Sequence, residues 1–89
     1  MIKINPKNKS AHFNLGYVHQ VYLKVYAEAV KHFTRAIDLD PQYAEAYLNR
    51  GLCYESMGNI NAAKKDFETA LVNRPDYMLA QQGIKRVSK

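Results

Sequence analysis

The groups able to carry acid–base, nucleophilic or metal chemistry in this chain of 89 residues are three histidines, one cysteine, seven tyrosines and eight carboxylates. His12 and His19 are seven positions apart, which on a helix means one face but about 10 Å of axial separation. One metal ion cannot take both without a third element. The simpler role for each is a histidine satisfied between helices, and His32, beside Phe33, reads as a solvent-side residue. Cys53 adjoins Tyr54 within a helical pattern, where a small buried thiol is expected. A single cysteine closes no internal disulfide, and no CxxC or Cys/His cluster is present to hold zinc. The tyrosines come with no acid, base or phosphate loop, so they read as packing aromatics with a polar tip. No catalytic residue, metal or cofactor is expected.

The elements that position these groups must fit into one small domain. A hydrophobic fraction of 47% and a charged fraction of 24% are ordinary for a folded chain. The net charge of +5 invites a nucleic-acid or anionic-membrane reading. Its placement argues otherwise. Lys3, Lys7, Lys9, Lys85, Arg86 and Lys89 crowd the two ends, whereas positions 10–84 hold seven basic and eight acidic side chains. No apolar run reaches the length of a membrane span, and the first residues lack a secretory signal pattern. A soluble cytoplasmic protein of a reducing compartment is the expectation.

The chain repeats itself. Ala29, Phe33, Ala36 and Pro41 recur at one fixed spacing as Ala63, Phe67, Ala70 and Pro75, while Pro6, Ala11, Asn14 and Gly16 recur, at a spacing longer by one, as Pro41, Ala46, Asn49 and Gly51. One residue is therefore inserted between His19 and Tyr26. The spacing predicts two helices per repeat. Asp40 is placed to cap a helix beginning at Pro41, as Asn5 and Pro6 are in the first copy. Ala46, Tyr47, Arg50, Gly51 and Tyr54 share one face; Gly58 stops that helix and Asn59 caps the next. On the second helix Phe67 is a knob among alanine gaps, and Pro75 ends it. Each hairpin leaves apolar surface that only another copy can bury.

With Ala/Phe/Ala/Pro sets in register twice, the chain resembles the tetratricopeptide repeat (TPR) family, whose helix-turn-helix units are about 34 residues long. Tyr47, Gly51, Tyr54, Ala63, Phe67, Ala70 and Pro75 hold the signature places of one copy, and His12, Leu15, Gly16, His19, Ala29, Phe33, Ala36 and Pro41 those of the other. Histidines stand where aromatics are usual, and Arg50 stands where leucine is. The resemblance implies an all-α, short right-handed α-solenoid of antiparallel helix pairs. Its expected divisions are residues 1–8 as the tail of a preceding repeat, 9–43 and 44–77 as two repeats, and 78–89 as a capping helix.

The resemblance further implies a non-catalytic scaffold that binds a peptide or helix of a partner protein in a concave groove. By the family's geometry, Phe13, Asn14, Tyr17, Leu48, Asn49, Leu52, Glu55, Gln82 and Arg86 form that groove, with Gln20 at one end. Phe13, Tyr17, Leu48 and Leu52 suit apolar side chains, and the two asparagines suit a ligand backbone. The alternative of a chaperone-tail-binding TPR domain meets an obstacle: the places of its carboxylate clamp hold Phe13, Tyr17, Asn49, Leu79 and Gly83, of which only Asn49 fits. A pentatricopeptide-like RNA-binding module would match the longer first repeat, 9–43, but the near-neutral body offers no basic groove. Finally, Val21–Tyr26 carries no breaker where the second repeat has Gly58 and Asn59, with Leu23 and Lys24 in their places. An irregular turn is expected there, and opening of this hairpin offers a route to self-association.

Overall fold

The computed structural model describes residues 8–88. Five α-helices run α1 (Lys9–Tyr17), α2 (Tyr26–Leu39), α3 (Ala44–Ser56), α4 (Ile60–Asn73) and α5 (Met78–Val87), and Val18–Tyr22 continues α1 as one π-helical turn. Helices adjacent in sequence lie against one another, and α5 also touches α3. The chain is thus two stacked helical hairpins followed by a fifth helix. Asn5, Pro6 and the expected tail of a preceding repeat lie outside the described residues.

Local chemistry sets the boundaries. Asn8 starts α1 by accepting hydrogen bonds from the amides of Ser10 and Ala11. Asp40 does not cap α3, contrary to expectation. Its carboxylate accepts from Gln42 N at 3.1 Å and its carbonyl from Tyr43 N at 3.0 Å, so Asp40–Tyr43 closes as a turn and the helix begins at Ala44. A turn of the same kind recurs around Pro75, where Tyr77 N donates to Arg74 O at 3.1 Å. The link across each turn keeps its geometry while the donor residue changes. Tyr47 Oη donates to Pro41 O at 2.9 Å, and one repeat later Gln81 Nε2 donates to Pro75 O at 3.1 Å. Gly58, at φ 82°, ends α3 in the left-handed region, and the Asn59 side chain accepts from Ala62 N to start α4.

The first hairpin turns differently. Its left-handed residue is Lys24, at φ 54°, and α2 follows from Val25 without a side-chain cap. Lys24 and Val25 therefore stand where Gly58 and Asn59 do, one position later than Leu23 and Lys24. The inserted residue lies upstream, in the π-helical turn: Leu23 N donates to Val18 O at 3.1 Å, five positions back, and Val25 N to His19 O at 2.8 Å. A π turn absorbs an extra residue without breaking the helix that carries it.

Packing is organised by two phenylalanines, Phe33 and Phe67, both fully buried. A Cβ on Gly16 would come within 2.7 Å of the Phe33 ring. Phe67 is held from two sides, since a Cβ would come within 2.8 Å of it from Gly51 and 2.7 Å from Gly83. Buried Ala29, Ala36, Ala63, Ala70 and Ala80 let the helices approach at these points. Ile84 and Val87 of α5 close the larger cluster around Phe67, together with Leu48 and Leu52 of α3.

Candidate functional site

The residues expected to line a groove lie on α1, α3 and α5, with Gln20 in the π-helical turn that continues α1, and of these helices α5 touches α3. The structure separates these residues into three kinds. Asn14, Tyr17 and Gln82 are exposed, Tyr17 at 43%. Phe13 is turned inward: its ring lies 5.5 Å from Phe33 and stacks at 5.2 Å on Tyr43. Leu48 is a correction to the expected groove, being 2% exposed within the Phe67 cluster, where α4 and α5 cover it. Leu52 packs half-buried on the same cluster. Gln20, within the π turn, is half-buried, and its amide oxygen has no hydrogen-bond partner among the described residues.

Three of the polar members, Asn49, Glu55 and Arg86, are engaged with the protein itself. Asn49 Nδ2 donates to Glu45 O at 2.8 Å on its own helix. Arg86 Nε and Nη2 donate to Glu55 Oε2 and Oε1, each at 2.9 Å, so the two charged residues expected in the groove form one bidentate pair joining α5 to α3. The Arg86 guanidinium holds the Glu55 carboxyl below the usual carboxylate range, and the carboxylate raises the arginine in turn. A second carboxylate of α3, Glu45, has Arg74 at 3.9 Å.

A polar network that spacing did not reveal lies between the helices. Arg50 donates from Nε and Nη2 to the Asp66 carboxylate at 2.8 and 2.9 Å, and from Nη1 to Thr34 Oγ1 at 3.2 Å, tying α3 to α4 and α2. Its guanidinium sits 5.7 Å from the Tyr47 ring and 5.9 Å from that of Tyr54. Asp66 is buried, and hydrogen bonding to it raises the Arg50 pKa. Tyr47, Arg50, Tyr54, Ala62, Lys65, Asp66 and Thr69 surround a cleft of about 350 Å³. The signal available in sequence was Arg50 at a leucine place; the carboxylate it needs, Asp66, lies far along the chain on another helix.

The histidines and cysteine show where their chemistry goes. His19 Nδ1 is 2.8 Å from Leu15 O. His32 is half-buried, not solvent-side as expected, because its ring lies 4.9 Å from that of His19 across the hairpin. Burial first, then the neighbouring His19 and His12, lower the His32 pKa. Among the described residues no three His, Cys, Asp or Glu side chains assemble as a metal-binding group. Cys53 is fully buried, and burial pushes its thiol up to about 12, far from the thiolate a nucleophile needs. No helix among the described residues is long and apolar enough to cross a membrane.

Two family models match the chain, a TPR repeat over residues 22–58 and a tetratricopeptide repeat over residues 44–77. Among solved structures, the second TPR domain of human RPAP3, in complex with the HSP70 peptide SGPTIEEVD, is 32% identical. The match covers 96% of this chain and 70% of that one, with a TM-score of 0.89. This chain belongs to the tetratricopeptide repeat family. The first TPR of Spaghetti (RPAP3), bound to the HSP90 peptide SRMEEVD, superimposes with a TM-score of 0.91 at 27% identity, covering 94% of this chain and 66% of that one. The fold is accordingly a short right-handed TPR solenoid. Serine/threonine-protein phosphatase 5 of Rattus norvegicus is 30% identical over 88 residues, 99% of this chain and 17% of that protein. The chain spans only part of these relatives, 17% of the phosphatase and 8% of Tetratricopeptide repeat protein 14 of Mus musculus, to which it is 36% identical over 63 residues.

Proposed function

We propose that this TPR module is a non-catalytic interaction scaffold that takes an extended or helical segment of a partner protein along the side formed by α1, α3 and α5. The observation that carries this reading is the close likeness to two TPR domains whose solved structures hold chaperone peptides. The surface offered is mixed. Tyr17 and the partly open Leu52 supply apolar contact, Asn14 and Gln82 supply exposed amides, and Phe13 and Leu48 form the wall behind them. Acidic chaperone tails are a poor fit to these residues. The places that would supply their cations hold apolar or small side chains, and Asn49 already gives its amide to Glu45 O.

The test is a peptide selected from a random displayed library against the full chain. Tyr17→Ala is expected to weaken its binding about tenfold, the order of one lost aromatic contact, whereas Glu68→Ala on the exposed side of α4 leaves it unchanged. Equal affinity for both variants would remove the groove reading. In the same titration, an acidic chaperone-tail peptide is expected not to bind.

A further inference from the structure

We propose that Glu55 is the groove's receptor for a cationic side chain of the partner, and that Arg86 is a built-in stand-in occupying that receptor while the groove is empty. The inference rests on the groove reading above and names the chemistry of its ligand: an otherwise uncharged, partly apolar segment carrying an arginine or lysine. The geometry is that of a bound guanidinium. Two parallel N–H···O contacts at 2.9 Å, from Nε and Nη2 to the two carboxylate oxygens, are what an incoming arginine would make.

The two halves of this pair are not equally easy to release. The Arg86 side chain is 46% exposed, against 24% for Glu55. Arg86 also lies in the last turn of α5, so a swing of its long side chain into water leaves it beside the helix end that favours a cation. Glu55 has no such refuge. It lies in the last turn of α3, where the terminal carbonyls already place negative charge, and its more enclosed carboxylate would lose its ion-pair partner. A ligand cation replacing Arg86 preserves the pair at Glu55, whereas a ligand anion taking Arg86 would strand that carboxylate.

A second carboxylate points the same way. Glu45 lies ten positions earlier on α3, about 15 Å along the axis, and its arginine is at 3.9 Å with 46% of the Glu45 side chain exposed. Both of these acidic residues of α3 are thus countered by arginines from later in the chain, Arg74 and Arg86. Of the cations behind the net +5, Lys3, Lys7 and Lys9 belong to the other end of the chain, but Lys85 and Lys89 neighbour Arg86 in sequence, so a basic ligand must be held by direct contact with Glu55 against them. Charges more than about 8 Å away are largely screened at physiological salt.

The experiment pans one random nonapeptide display library against the full chain, Arg86→Gln and Glu55→Gln, with helicity by circular dichroism as the folding control. The expected result is arginine or lysine enrichment at one peptide position with the unaltered chain. Arg86→Gln should bind an individual basic peptide about tenfold tighter, because no internal competitor remains. Glu55→Gln should lose the basic preference while still binding neutral apolar peptides. Enrichment of aspartate or glutamate, abolished by Arg86→Gln, would overturn the inference and leave the groove reading standing. So would a charge preference identical in all three proteins, which would mark the pair as a purely structural bridge. Failure of every library to yield a peptide sensitive to Tyr17→Ala would instead overturn the groove reading, and this inference with it.

Discussion

Both hairpins bury one phenylalanine against a glycine of the preceding helix, yet they reverse direction by different means. The second uses Gly58 and a capping Asn59, each suited to its backbone. The first uses a π-helical turn, a left-handed lysine and an uncapped Val25. Even so, α2 and α4 present Ala29, Phe33, Ala36 and Ala63, Phe67, Ala70 identically, all fully buried. The helix spacing is therefore set by the phenylalanine–glycine contact, and the turn only has to deliver the second helix to it. The consequence of the irregular turn appears on the surface, where Tyr22 and Leu23 are 74% and 57% exposed.

The sharpest way to break the equivalence is to remove each wedge. Phe67→Ala is expected to cost about 5 kcal/mol and Phe33→Ala about 3 kcal/mol, at opposite ends of the range for such truncations. Phe67 is gripped by two glycines, Gly51 and Gly83 of α5, whereas Phe33 is gripped by Gly16 alone and meets its third helix, α3, through the smaller Cys53. Urea unfolding followed by circular dichroism measures both; equal losses would mean that α5 adds no more to the second wedge than α3 adds to the first.

Next in size is the Arg50 network, which the first repeat lacks because Leu15 holds the corresponding place. Arg50→Ala leaves the Asp66 carboxylate, with a 6% exposed side chain, without its guanidinium, an expected loss of about 3–4 kcal/mol. The double change Arg50→Leu with Asp66→Leu, which replaces the buried ion pair by an apolar contact, should restore stability to within about 1 kcal/mol of the unaltered chain or better. If the double variant were as unstable as the single one, the network would be fixing the helix arrangement and not merely satisfying itself.

These two cases show what was legible before the structure. Phe33, Phe67 and their alanines were readable because a large residue among small ones at helical spacing has one use. Gly58 and Asn59 were readable because their backbone chemistry is local. Arg50–Asp66 and Glu55–Arg86 were not, since the first pair meets only once α3 and α4 are placed together and the second only once α5 is added. Leu48 lost its place in the groove for the same reason: its burial depends on α5. The inserted residue could be confined to His19–Tyr26, but only the i−5 bonding of the π turn shows where the helix takes it up.

Smaller effects come from the turns. Lys24→Gly is expected to stabilise by about 0.5–1 kcal/mol, because glycine reaches φ 54° without the strain a side chain meets there. Gly58→Ala should destabilise by about 1 kcal/mol through backbone strain alone, since a Cβ there would meet nothing within 4 Å. Thermal melts of the two variants should therefore shift in opposite directions. A stabilising Gly58→Ala would show that left-handed backbone is not what ends α3.

The finest distinction between the hairpins is their response to acid, because residues 44–77 contain no histidine. His32 faces His19 at 4.9 Å, with burial, His19, His12 and Arg35 lowering its pKa from an ordinary 6.5 against an opposing Glu28. Well above pH 6.5 the imidazole is neutral in both folded and unfolded chains and contributes nothing to the pH dependence. As pH falls through 6.5 the unfolded chain takes up the proton first, so stability declines until the folded His32 is protonated as well. The decline should be local. Hydrogen-exchange protection factors, corrected for intrinsic rates, are expected to fall in α2 between about pH 7 and pH 5 while those of α4 hold. His32→Gln should remove that difference, because glutamine keeps a polar side chain but binds no proton. Equal acid sensitivity of α2 and α4, or a response unchanged in His32→Gln, would place the titrating group elsewhere and leave the two hairpins distinguished by their turns alone.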